Sequence, residues 1–107
     1  KMKYKIQITC IQGQNKDQNK KWKCTLVDRK SIVIGRLAGC HIVLQDTKVS
    51  KSHCLIQIQK DKLVIIDLGS QHGTLINIKA VQAAKLYNND NIKLGNTILN
   101  IKYKADH

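Results

Sequence analysis

Ser50-Lys51-Ser52-His53 runs into Cys54-Leu55-Ile56-Gln57-Ile58-Gln59, and beyond it lies Leu63-Val64-Ile65-Ile66-Asp67-Leu68-Gly69-Ser70-Gln71-His72-Gly73-Thr74. The first apolar segment alternates: Cys54, Ile56 and Ile58 fall on one face and Leu55, Gln57 and Gln59 on the other. That period of two reads as a half-buried strand. Leu63 to Ile66 is apolar without interruption, as expected of a central strand covered on both faces. The polar stretches on either side, with Gly69 and Gly73 in the second, mark shaped turns.

The same pattern extends outward. Tyr4, Ile6, Ile8 and Cys10 alternate with Lys5, Gln7 and Thr9, and Trp22, Cys24 and Leu26 alternate again. Ser31-Ile32-Val33-Ile34 leads into Gly35, and Ile42-Val43-Leu44 is a short apolar strand. Toward the C-terminus, Leu75-Ile76 and Ala80-Val81 flank a tight Asn77-Ile78-Lys79 connection. Gly95-Asn96 reads as a hairpin turn after Ile92-Lys93-Leu94, and Leu99, Ile101 and Tyr103 close the series. Gly13 to Lys20 reads as a polar loop that adds nothing to the core. No window sustains a helical period; the one candidate, Ala80 to Tyr87, is short and uncapped. Many short strands at regular spacing predict an all-β sandwich.

The 107 residues suit one domain, expected to span 1–107 with its core at about 3–103. The net charge is +12, from seventeen lysines and two arginines, Arg29 and Arg36, against seven aspartates and no glutamate. Such a field favours anionic partners, although a solvated lysine-rich surface accounts for most of these side chains individually. No apolar run approaches the roughly 20 residues that span a bilayer, and a membrane partner is not expected. Cys10, Cys24, Cys40 and Cys54 lack the C-x-x-C spacing of a zinc ribbon. They are expected to be reduced core residues, which suits an intracellular compartment. Cys40-His41 and His53-Cys54 make poor chelating pairs, because adjacent strand residues point to opposite faces. No metal and no cofactor is implied.

Three turn segments carry the chemistry. Arg36 follows Gly35 at a strand end, and a guanidinium fork fits phosphate oxygens in a bidentate way. Ser50 offers a hydroxyl and Lys51 a mobile positive charge. His53 reads as a buried imidazole that pins the preceding loop by hydrogen bonding, not as a general base, since the chain has no nucleophile-elbow pattern and no evident orienting acid. Gln71 and His72 supply side chains able to hydrogen-bond a peptide. No catalytic residue is read from the sequence.

Taken in order, Gly35-Arg36, Ser50-x-x-His53, Asp67-Leu68-Gly69-Ser70-x-x-Gly73-Thr74-x-x-Asn77 and Asn89-Asp90-x-Ile92-x-Leu94-Gly95 resemble the forkhead-associated (FHA) domain over about residues 3 to 103. The resemblance implies a forkhead-associated-type β-sandwich of about 11 strands in two packed sheets, with ligand loops at one end. It implies a phosphothreonine-dependent interaction module that binds phosphorylated peptides of a partner, with no enzymatic activity. Carried over residue by residue, Arg36, Ser50 and Lys51 contact the phosphate. Gln71 stands where the family often has a small hydroxyl residue that helps there. His72 replaces the usual Asn that holds the peptide backbone. Asn77 supports the loop or touches the peptide. Lys48 lies in the loop that often reads the third residue after the phosphothreonine, where a lysine favours an acidic residue. Gly35, His53, Gly73 and Thr74 are architectural.

Two other functions are weighed. The departures at Gln71 and His72 allow a scaffold used for phosphate-independent assembly in a larger complex. Direct nucleic-acid binding rests on charge alone: nine Lys and Arg oppose two Asp in residues 1–30, but Trp22 and three tyrosines make no RNA-binding aromatic motif. The charge permits non-specific contact and implies nothing more.

Overall fold

The computed structural model describes residues 2–106. Eleven strands form two sheets. In chain order they are β1 (Lys3–Gln12), β2 (Lys21–Val27), β3 (Ser31–Gly35), β4 (Ile42–Val43), β5 (Cys54–Gln59), β6 (Lys62–Asp67), β7 (Thr74–Ile76), β8 (Lys79–Val81), β9 (Ala83–Lys85), β10 (Asn91–Leu94) and β11 (Thr97–Ala105). The six-stranded sheet runs β2-β1-β11-β10-β7-β8 and the five-stranded sheet β4-β3-β5-β6-β9. The β3–β4 pair is parallel, with Ile34 opposite Ile42. The other pairs with a described register are antiparallel, among them β1–β11 and β5–β6.

The alternation read from the sequence becomes the core. Ile6, Ile8 and Cys10 of β1 meet Leu99 and Ile101 of β11 on the inner face of one sheet. Ile34, Ile56, Leu63 and Ile65 cover them from the other. Each fully buried Ile or Leu contributes about 1.5–3 kcal/mol relative to exposure. The rings of Tyr4 and Tyr103 close one side edge-to-face, 5.4 Å apart. Their hydroxyls donate to the carbonyls of Asp61 and Leu86 at 2.6 and 2.7 Å, so neither polar tip is buried without a partner.

Turn chemistry sets the register. Lys60-Asp61 joins β5 to β6, and Asn77-Ile78 joins β7 to β8, all four residues having positive φ. This is the two-residue loop whose twist matches flanking strands. Gly95-Asn96 links β10 to β11, as the sequence predicts.

Two expectations change, and the one weak helix candidate resolves as strand. Across Ala80 to Tyr87, Lys79–Val81 pairs with β7 and Ala83–Lys85 with β6. Neighbouring strand edges offer these residues long-range hydrogen bonds, which outweigh a weak local helix preference. Cys24 is exposed, whereas Cys10 and Cys54 are buried and Cys40 is half-buried. It faces inward by register but stands on edge strand β2, where the opposing sheet gives little cover. The Gly13–Lys20 loop does reach the interior. Asn15–Asp17 forms a 3-10 turn, and buried Asp17 accepts the Gln45 N–H at 2.6 Å, tying this loop to the end of β4.

Candidate functional site

The ends of β3, β4 and β6 and the starts of β5 and β7 bring three loops together. Gly35 permits the approach. A Cβ on it would lie 2.2 Å from the carbonyl oxygen of Lys51, a distance no side chain tolerates. The N–H of Arg36 is shared between the carbonyls of Ser50 (3.1 Å) and Lys51 (3.2 Å), and the Leu37 N–H also reaches Lys51 (3.2 Å). The first two loops are therefore joined through backbone.

Arg36 is exposed, but its side chain is anchored. Its Nε donates to the carbonyl of Val49 at 2.8 Å. This leaves the two terminal amino groups of the guanidinium, with fixed orientation, for an external acceptor. Arg36, Lys48, Ser50, Lys51 and Gln71 line one open hollow of about 330 Å³ together with Thr47, Val49 and Ser52. Three cations and three hydroxyls surround it, and no carboxylate is among the lining residues.

Ser50 couples the second loop to the third. Its Oγ accepts the Gln71 N–H at 3.0 Å, so its own proton remains free to donate outward. His53, with no exposed surface, holds both loops from beneath. Its Nδ1 accepts the Ser50 N–H at 3.0 Å, and its Nε2 lies 2.8 Å from the carbonyl of Gly73. These partners fix the neutral tautomer with the proton on Nε2. These two bonds tie the loop bearing Ser50 to the loop bearing Gly73.

The third loop is built on Asp67. Its carboxylate accepts the Ser70 hydroxyl, the Ser70 N–H (2.9 Å) and the Thr74 hydroxyl (2.7 Å), while Ser70 Oγ accepts the Gly73 N–H (2.9 Å). Gly69 and Gly73 take φ of +73° and +84°, values that favour glycine. Burial alone raises the Asp67 carboxyl's pKa. The hydrogen bonds from Ser70 and Thr74 outweigh that burial and hold it below the usual carboxylate range.

Asp46 does the same for the second loop. It accepts the N–H groups of Lys48 (2.9 Å) and Asn96 (2.7 Å) and the Thr97 hydroxyl (2.9 Å). Burial again opposes its ionisation, and these three donors reverse the effect. Gly95, at φ +59°, fits against Lys48 and Asp46, where a Cβ would come within 3.0 Å of both.

His72 is exposed on the third loop but does not line the hollow. Asn77 lies further away. Its amide donates to Asp90 (2.8 Å) and accepts the Asn91 N–H (2.9 Å), which pins the β7–β8 turn to β10. Sequence reasoning missed Thr47, Val49 and Ser52, together with the Asp46 clamp. Asp46 two residues before Lys48 is a turn signal that was there to be read. A backbone carbonyl such as that of Val49 leaves no mark in the sequence.

Comparison with known proteins agrees with this architecture. Residues 32–95 match the family model described as the FHA domain, more than half of the chain, and the chain belongs to that family. It is 31% identical over 70 residues to the glycogen accumulation regulator GarA of Mycolicibacterium smegmatis, covering 65% of this chain and 44% of GarA. The chain thus spans less than half the length of that relative. It superposes at a TM-score of 0.77 and 26% identity on an FHA domain solved in a study of phosphothreonine-dependent FHA interactions, covering 92% of this chain and 95% of that one. An Arabidopsis thaliana FHA domain gives a TM-score of 0.83 at 26% identity, covering 96% and 88%.

Proposed function

We infer that this chain is a phosphothreonine-dependent interaction module that binds phosphorylated peptides of a partner protein. The observation that carries the reading is the anchored guanidinium of Arg36, held by Val49 beside Lys51 and the free hydroxyl proton of Ser50. A phosphate needs several donors on a small sphere of oxygens, at least one of them charged. The loops supply a bidentate fork, an ammonium and a hydroxyl around one carboxylate-free hollow. The similar solved FHA domain is one of phosphothreonine-dependent interactions, which supports the same ligand here.

Within that reading, Gln71 assists at the phosphate and His72 and Asn77 stand on the peptide's side of the site. Lys48 favours an acidic residue at the third position after the phosphothreonine. Residues 1–107 act as one FHA domain with its core at about 3–103. The role is binding, not catalysis, in keeping with relatives named as a regulator and as an oxoglutarate dehydrogenase inhibitor. The unpaired cysteines fit a reducing compartment inside the cell.

The test is a titration against a degenerate phosphothreonine peptide library, with unphosphorylated peptides and Arg36→Ala as controls. Binding that needs both the phosphate and Arg36 supports the reading. A folded domain that binds phosphorylated and unphosphorylated peptides equally refutes it.

A further inference from the structure

The outer face of the six-stranded sheet carries charge that the fold does not require. Register places Lys5 of β1 directly opposite Lys104 of β11, and Gln7 of β1 between Lys23 of β2 and Lys102 of β11. Residues in register or two apart share a face. Lys5, Gln7, Lys23, Thr25, Lys102 and Lys104 therefore project from one side, and they border a hollow of about 840 Å³ whose lining contains no carboxylate. All four lysines are exposed. Among the described residues, no lysine lies within salt-bridge distance of a carboxylate.

Neighbouring strands lie about 4.8 Å apart and residues two apart about 6.6–6.8 Å. The four ammonium groups thus crowd into roughly one Debye length. Like charges directly opposite each other on neighbouring strands destabilise a sheet. Lysine on edge strand β2 guards against edge-to-edge association. That reason does not extend to β1 and β11, which are both interior to the sheet.

We propose that this basic face is a second docking site, separate from the loops, for an acidic polypeptide segment of a partner protein. An extended acidic segment presents every second side chain at about 6.6–6.8 Å, the repeat of the lysines along the strands. The face suits carboxylates better than nucleic acid. It has no arginine fork, and the Trp22 ring lies on the other side of the sheet, in register with buried Ile8. Tyr103 also borders the hollow, but its ring packs on Tyr4 and its hydroxyl is bonded to the Leu86 carbonyl. On this face no aromatic surface is left for bases to stack on. The hollow shares no residue with the Arg36 site, so the proposal stands independently of what the loops bind.

The test uses the 107-residue chain and fluorescence anisotropy with two probes: an unphosphorylated peptide of about twelve residues alternating Glu and Thr, and an oligothymidylate of similar length. Two variants lose the same charge, Lys5→Gln with Lys23→Gln, Lys102→Gln and Lys104→Gln, and a control with Lys60→Gln, Lys62→Gln, Lys79→Gln and Lys85→Gln. The acidic peptide should bind at low salt. The first variant should weaken it at least about tenfold and the control less than about twofold. Thermal melting of the first variant at or above that of the native chain confirms that its fold is intact. Absence of peptide binding, or an equal loss in both variants, overturns the site. Oligothymidylate binding at least as tightly through the same four lysines overturns the choice of occupant.

Discussion

His53 Nδ1 accepts the backbone N–H of Ser50 at 3.0 Å, so a wholly buried imidazole sets the position of an exposed hydroxyl. The same ring reaches Gly73 through Nε2 at 2.8 Å. One side chain thereby fixes the distance between the loop bearing Ser50 and Lys51 and the loop bearing Gln71. The support of the site lies inside the sandwich and not on the surface.

Replacing His53 by Ala removes that support and opens a void. It leaves a Ser50 N–H and a Gly73 carbonyl unpaired, each at about 1–3 kcal/mol. The expected loss of stability is about 3–5 kcal/mol, measured by urea unfolding. His53→Gln, which retains an acceptor and a donor, should recover part of it.

Arg36→Lys tests the anchored fork. The ammonium keeps the charge but loses the bidentate geometry and the bond to Val49. Affinity for a phosphothreonine peptide should fall about tenfold, and about a hundredfold for Arg36→Ala. Melting temperature should change little in either variant, since Arg36 is exposed.

Ser50→Ala removes the hydroxyl proposed to donate to the phosphate, and with it the acceptor of the Gln71 N–H. Weakening of about tenfold is expected in calorimetric titration, with a stability loss near 1 kcal/mol. Ser50→Thr, which retains the hydroxyl, should preserve most of the binding.

Gly35→Ala forces its methyl into the Lys51 carbonyl, 2.2 Å from an ideal Cβ. The backbone must move, and both loops with it. A stability loss of at least about 2 kcal/mol is expected, together with loss of phosphopeptide binding.

That Arg36, Ser50, Lys51 and His53 gather at one end of the sandwich was legible in the sequence, because they sit at the junctions of clear strand signals and match the order and spacing of the FHA pattern. The strands themselves were legible from the period of two in segments such as Cys54–Gln59. The Asp17 and Asp46 clamps were not, because each binds backbone from strands or loops distant in sequence and gains meaning only from the assembled sheets. The strand at Ala83–Lys85 was not legible for the same reason. Its residues carry no strong local preference, and the edge of β6 decides their conformation.

The clamps also predict an acid limit. Asp46 and Asp67 both titrate lower in the folded chain than in the unfolded one. The unfolded chain therefore binds more protons as pH falls below about 4, and stability present at higher pH is lost through the lower folded values. The urea midpoint should hold steady from about pH 7 to 5 and then drop between about pH 4 and 2. Asp67→Asn should be less stable than the native chain at neutral pH, and the gap should narrow below about pH 3.

A phosphate proposed to dock among Arg36, Ser50, Lys51 and Gln71 should leave its mark on their backbone amides in an NMR titration with a single phosphothreonine peptide, followed by its dephosphorylated form. These four amides should move furthest, and with the phosphorylated peptide alone. Equal shifts with both forms, or shifts centred elsewhere on the sandwich, would rule that docking out.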